Sequence, residues 1–198
     1  IWNLTTGYTL SPSPSVAEGI VYFECWDGRM YALNALTGAE AWNTTIGFES
    51  EMDSSPAVAN GVVYVGSNDN NVYALDALTG AEIWSFPTGN VVYSSPTVAN
   101  GVVYVGSWDH SMYALDALTG AEIWSFPTGS VIYSSPAVAD GLVYFGSFDN
   151  TIYAVGYPSD LPPNANFFAD NTFGIAPMTV RFTDTSTGTP PLNYTWGF

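Results

Sequence analysis

Lysine is absent from this 198-residue chain, and arginine occurs only at Arg29 and Arg181, against eighteen aspartates and glutamates. The resulting net charge of −16 repels phosphate backbones and anionic lipid head groups, since both associations need clustered cations. Nucleic acid is therefore not an expected partner. Cys25 is the single cysteine, which excludes an internal disulfide, a paired-cysteine zinc site and CxxC redox chemistry. His110 is the single histidine, so no histidine-rich metal site can be assembled within the chain. No run of eighteen or more apolar residues is present, and membrane insertion of this segment is not expected. The sequence opens on Ile1 without a basic, apolar leader and reads as a processed or excised piece of something longer.

What the chain does have is apolar mass and repetition. With 47% hydrophobic and 16% aromatic residues it can bury a core. The segment YALDALTGAEIWSFPTG occupies residues 73–89 and, letter for letter, 113–129, with a looser copy, YALNALTGAEAW, at 31–42. Aligned on Ser-Pro-x-Val-Ala, four units begin at residues 13, 55, 95 and 135. Each unit contains short runs rich in Val, Ile, Tyr and Phe, separated by Glu-Gly, Asn-Gly or Asp-Gly and by Thr-Gly in all but the last. In the second unit the pattern predicts strands over 56–59, 62–67, 71–77 and 81–86, with Asn60-Gly61 as a hairpin turn of positive φ. Four short antiparallel strands per roughly 40 residues match a propeller blade. A sandwich is the competing all-β arrangement, and a helical solenoid is excluded because 3.6-residue apolar spacing is missing.

The run Ala-x-Asp-x-x-Thr-Gly-x-x-x-Trp, at 74–84 and 114–124 and with Asn34 for Asp at 32–42, resembles the tryptophan-docking repeat of pyrroloquinoline-quinone-type β-propellers. The resemblance covers residues 1–157. It implies all-β, four-stranded blades joined by Trp2, Trp42, Trp84 and Trp124. Indoles of this kind can cover small residues of the adjoining blade such as Ala32, Ala74 and Ala114, and burying one ring contributes on the order of 2–3 kcal/mol. Ile1-Trp2 stands where Ile83-Trp84 stands, twelve residues before the Ser-Pro proline, and the fourth unit ends after its third strand. An N-terminal strand filling that vacancy would close a four-bladed ring. The alternatives are a fragment of a larger ring or two chains pairing their halves.

Residues 158–163 form a proline-rich linker. Residues 164–198 resemble the opening half of a PKD domain, an Ig-like β-sandwich of extracellular proteins. The resemblance rests on Pro163, Ala165, Phe167, Gly174, Pro177, Val180, Phe182, Asp184, Ser186, Gly188, Tyr194, Trp196 and Phe198. A segment of this length is too short to close a sandwich alone. Propeller and PKD segments together resemble secreted surface proteins of methanogenic archaea and some bacteria, and imply an extracellular or cell-surface location.

Asp27, Asp69, Asp109 and Asp149 recur in one turn of each unit, where a carboxylate ring could hold calcium. Aspartate is also a favoured turn residue, and no dense oxygen-ligand spacing accompanies these four, so no metal is expected. The preceding Trp26, Trp108 and Phe148 could face a sugar or a partner protein, or fold over neighbouring blades. Asn3, Asn43 and Asn193 are glycosylation sequons. Quinone enzymes of the resembled family need adjacent cysteines and cations that this chain lacks. The reading is a non-enzymatic surface scaffold without cofactor. Its expected partners are other copies of itself, through strand exchange, or surface proteins and glycans. Carbohydrate or peptide binding, and a fragment of a quinone-dependent dehydrogenase, are the alternatives.

Overall fold

The computed structural model describes residues 1–156, 167–169 and 182–184. Among them are seventeen strands and no helix. The first sheet holds β1 (Ser15–Ala17), β2 (Ile20–Cys25), β3 (Arg29–Asn34) and β4 (Glu40–Thr45) in chain order. The second repeats this with β5 (Ala57–Ala59), β6 (Val62–Gly66), β7 (Asn71–Asp76) and β8 (Glu82–Pro87). The third consists of β9 (Thr97–Ala99), β10 (Val102–Gly106), β11 (Ser111–Asp116) and β12 (Glu122–Pro127). The fourth has three strands, β13 (Ala137–Ala139), β14 (Leu142–Ser147) and β15 (Thr151–Gly156). Residues 1–14 form no strand, so the expected closure of the fourth sheet by Ile1 and Trp2 is not in place. Instead, the N-terminal segment is held to the first blade by the Trp2 indole and by the Trp26 N–H, which donates to Thr9 O at 3.2 Å.

The chain divides into two compact units, Ile1–Val138 with Val143–Tyr153, and Ala139–Leu142 with Ala154–Phe198. In the second unit, β16 (Phe167–Ala169) pairs antiparallel with β17 (Phe182–Asp184). The linker and the remainder of the expected sandwich lie outside the described residues.

Turn chemistry explains the hairpins. Asn60 and Gly61 have φ of 51° and 76°, the left-handed pair that a two-residue turn needs, and Asn100-Gly101 repeats it at 52° and 78°. At the far end of the first three blades a side chain caps the next turn. Asp76 Oδ1 accepts from the N–H groups of Leu78 and Thr79 and from Thr79 Oγ1, and Asp116 does the same for Leu118 and Thr119. Asn34 Oδ1 performs this task in the first blade.

These bonds, led by the threonine hydroxyls, hold the Asp76 and Asp116 carboxyls below the ordinary value. A carboxyl depressed in the folded state contributes stability present above its unfolded pKa and lost as pH falls through its folded one. Since Asn34 already caps with an amide, the double variant Asp76→Asn, Asp116→Asn should fold normally. Its thermal midpoint should fall less than that of the parent on acidification below about pH 4, the unfolded carboxyl range. Parallel thermal melts that track each other would refute this.

The core lies between sheets. Tyr22, Met30, Ala32 and Trp42 of the first blade pack with Ile46 and Met52 against Val63, Val65 and Leu75 of the second. Tyr64, Val72, Ala74 and Trp84 repeat the packing against Val103, Val105 and Leu115 of the third. Trp42 and Trp84 are each 8% exposed.

Candidate functional site

Three features recur with the repeat: the docking tryptophans, the aspartate turns and an outward-facing rim.

The tryptophans act between blades, one turn away from where sequence spacing placed them. Trp42 lies opposite Ala32 in its own sheet, as Trp84 lies opposite Ala74 and Trp124 opposite Ala114. These alanines are therefore cross-strand neighbours and not the receiving surface. The receiver is the Thr-Gly turn of the next blade. A Cβ placed on Gly80 would stand 2.6 Å from Trp42 Cε3, one on Gly120 2.7 Å from Trp84 Cδ2, and one on Gly38 2.5 Å from Trp2 Cδ2. All three glycines have φ of 72°, so conformation and space both demand glycine. The indole N–H groups of Trp2, Trp42 and Trp84 donate to Ala35 O, Ala77 O and Ala117 O at 3.0, 3.0 and 3.1 Å. Tyr22 and Tyr64 hydroxyls donate to the same Ala77 and Ala117 oxygens, so each carbonyl spends both lone pairs on the join. The position equivalent to Ala77 and Ala117 for Trp124, residue 157, lies outside the described residues.

Serines add a second tie. The Ser54 hydroxyl donates to Ser94 O at 3.1 Å and the Ser94 hydroxyl to Ser134 O at 2.9 Å, while each hydroxyl accepts the Gly66 or Gly106 N–H. The paired Ser-Ser-Pro at 54–56, 94–96 and 134–136 was the visible signal for it.

Asp27, Asp69, Asp109 and Asp149 are committed to their own turns. Asp69 Oδ2 accepts from Tyr73 OH at 2.6 Å and Oδ1 from the Asn71 N–H at 3.0 Å. Tyr31, Tyr113 and Tyr153 donate to Asp27, Asp109 and Asp149 in the same way. Asp109 and Asp149 also accept the N–H of Gly89 and Gly129 from the preceding blade's loop, at 2.7 and 2.9 Å. Burial, then the aspartate bond, pushes Tyr31 and Tyr113 up to about 12. The partner tyrosines were legible as Asp-x-x-x-Tyr in all four units. Among the described residues, no three His, Cys, Asp or Glu side chains are grouped to hold a metal ion.

The three aromatic turn residues differ. Trp26 and Trp108 are half-buried, and their indole N–H groups are buried without a partner. Trp108 packs edge-on against Tyr93, with ring centroids 5.2 Å apart, and lies 6.1 Å from Tyr133. Phe148 is 65% exposed and stacks on Tyr133 at 6.3 Å. In the second blade Asn68 takes this position, holding the 48–51 loop through Phe48 and Glu51. Asn3 is exposed; Asn43 is half-buried and bonded to Arg29 and Glu40; Asn193 lies outside the described residues.

Glu24 breaks the repeat. Gly66, Gly106 and Gly146 occupy its position elsewhere, yet Glu24 is wholly buried and neither carboxyl oxygen has a hydrogen-bond partner. Burial pushes its carboxyl well above the ordinary value, and the neighbouring Asp53 charge adds to this.

The outward rim is apolar at regular intervals. Leu36, Leu78 and Leu118, one per Thr-Gly turn, are 85%, 83% and 81% exposed. Ile83 and Leu118 line a groove of about 310 Å³ with Val62, Tyr64 and Ala117.

Sheets of this topology, joined by tryptophan on glycine between the first and second and between the second and third, define a β-propeller of quinone-type repeats. The chain belongs to the family described as outer membrane protein assembly factor BamB, whose profile matches residues 1–92 and 72–157. No curated protein matches the sequence. Among solved structures, BamB from Moraxella catarrhalis is 22% identical with a TM-score of 0.68, over 77% of this chain and 51% of that one. The computationally designed Ika4 protein is 19% identical with a TM-score of 0.69, over 77% of this chain and 93% of that one. Quinohemoprotein alcohol dehydrogenase ADHIIG from Pseudomonas putida HK5 is 23% identical with a TM-score of 0.64, over 73% and 29%. The chain thus spans about half the length of the Moraxella protein.

Proposed function

We propose that the chain is a non-enzymatic scaffold for protein contact that works outside the cytoplasm, at or beyond the cell surface. The observation that carries this reading is how the repeat spends its side chains. Its recurring turn aspartates and its serine hydroxyls bond the chain's own turns and joins, while a leucine recurs at 36, 78 and 118 with its side chain in water. Exposed apolar residues on a rigid frame, next to a groove, suit an extended apolar peptide. Membership of a family named for outer-membrane assembly supports both the contact role and the location. The tail's PKD-like pattern and the Asn3 and Asn43 sequons agree with an exported protein.

Peptides selected from a displayed library should bind the parent chain, and should lose at least about tenfold in affinity when the three leucines become serine. Failure to enrich peptides, or unchanged binding by the triple variant, overturns the reading. The fragment of a quinone enzyme is separated by titration with pyrroloquinoline quinone and calcium followed by absorbance. Saturable, near-stoichiometric binding would favour it.

A further inference from the structure

Every blade presents two unlike faces. One offers a tyrosine and, eight residues on, an apolar residue: Tyr22 and Met30, Tyr64 and Val72, Tyr104 and Met112, all between 0% and 5% exposed. The other receives: Val63 and Val65, Val103 and Val105, Val143 and Phe145, again at 0–3%. Two joins pack these pairs together, first blade on second and second on third, and the pairs of the third and fourth blades are equally buried. Among the described residues, the offering face of the fourth blade and the receiving face of the first have no such pair against them.

On the fourth blade, Tyr144 and Ile152 hold the offering positions; Tyr144 is half-buried and Ile152 is 79% exposed. On the first blade, Val21, Phe23 and Leu33 hold the receiving positions; Phe23 and Leu33 are buried, and a cavity of about 190 Å³ beside them is also lined by the exposed Trp2, Leu4 and Leu10. Trp2 already donates to Ala35 O, as Trp42 does to Ala77 O, but is 36% exposed where Trp42 is 8%. Tyr22 and Tyr64 complete the pattern on Ala77 and Ala117, whereas among the described residues no tyrosine donates to Ala35 O. The receiving face is thus set with its tryptophan and lacks the tyrosine and apolar side chain that the fourth blade carries.

We propose that the fourth blade's Tyr144 and Ile152 seat on the first blade of a second copy, joining chains head to tail. Tyr144 OH then donates to Ala35 O of the partner, and Ile152 enters the cavity beside Trp2. The join continues two interfaces already made by the same residue types in the same register, so it needs no new complementarity. Unlike faces meeting head to tail close into a ring or extend as a fibre, depending on the rotation per copy. This deepens the scaffold reading by naming one partner, and it can fail while the leucine rim still binds peptide.

Light scattering on the eluted chain should give twice the 21.2 kDa chain mass or a higher multiple, rising with concentration. Ile152→Asp should return a monomer with an unchanged melting curve, since that side chain is exposed in the single copy. Tyr144→Phe should weaken association roughly fivefold, the effect of one hydrogen bond. A chain carrying Ile152→Asp keeps its receiving face, and one carrying Val21→Asp keeps its offering face, so mixing the two monomers should produce a dimer. A single mass of 21.2 kDa at all concentrations overturns the proposal, as does an oligomer that Ile152→Asp leaves intact. Should Val21→Asp not fold, Trp2→Ala takes its place in the mixture; a mixture that stays monomeric also counts against the head-to-tail join.

Discussion

Trp84→Ala should cost about 3–5 kcal/mol, a large share of the 5–15 kcal/mol available to a typical domain. The indole is 8% exposed, lies on Gly120 and bonds Ala117 O, so truncation opens a cavity between two blades and removes a bond at once. Tyr64 still bonds the Ala117 carbonyl, and that oxygen is not orphaned. Most of the loss is therefore packing. Trp84→Phe should recover more than half of it. Trp2→Ala, whose ring is 36% exposed in a single copy, should cost far less when measured on dilute protein. Urea unfolding of the three variants checks this ordering, and a Trp84→Ala loss below about 1 kcal/mol would mean that the indoles do not hold the blades.

Glu24→Gln should have the opposite sign. The folded carboxyl binds its proton more tightly than the unfolded one does, because burial and Asp53 disfavour the charge. Stability from that protonation is complete below the unfolded pKa, near 4.3, and is lost as pH rises through the raised folded value. The parent is thus penalised at neutral and alkaline pH, and the amide is not. At pH 8 the variant should be more stable by on the order of 2 kcal/mol, with a flatter dependence of melting temperature on pH. A variant less stable than the parent at pH 8 would show that the carboxylate has a partner that stabilises its charge.

The hairpins were legible in the sequence because Asn-Gly pairs and period-two alternation are local signals. The strands found at Ala57–Ala59, Val62–Gly66, Asn71–Asp76 and Glu82–Pro87 fall within about a residue of their expected bounds. The tryptophans were legible as docking residues, but their receiving surface was not. Spacing alone cannot tell that a bulge between Ala32 and Leu33 sets Trp42 across from Ala32 in its own sheet. Gly80 looked like ordinary turn punctuation, and only the approach of Trp42 gives it a second reason to be glycine. The four aspartates drew attention as a ring, while the tyrosine four residues after each one, which consumes the carboxylate, went unremarked. Glu24 was hidden by the repeat itself, since a departure from a pattern is easily taken for drift until its burial is known. The three strands of the fourth unit followed from counting, but the strandless path of residues 1–14 did not, because it depends on long-range contact that no local signal encodes.

The serine relay has an evolutionary corollary. Ser54 to Ser94 and Ser94 to Ser134 are the same bond forty positions apart, as are Ser55 to Ser95 and Ser95 to Ser135. A duplication or deletion of one whole unit would reproduce every such bond at the new junction. Gene-level slippage in multiples of the unit could then lengthen or shorten the array in single viable steps, whereas a slip of any other size would throw each downstream contact out of phase.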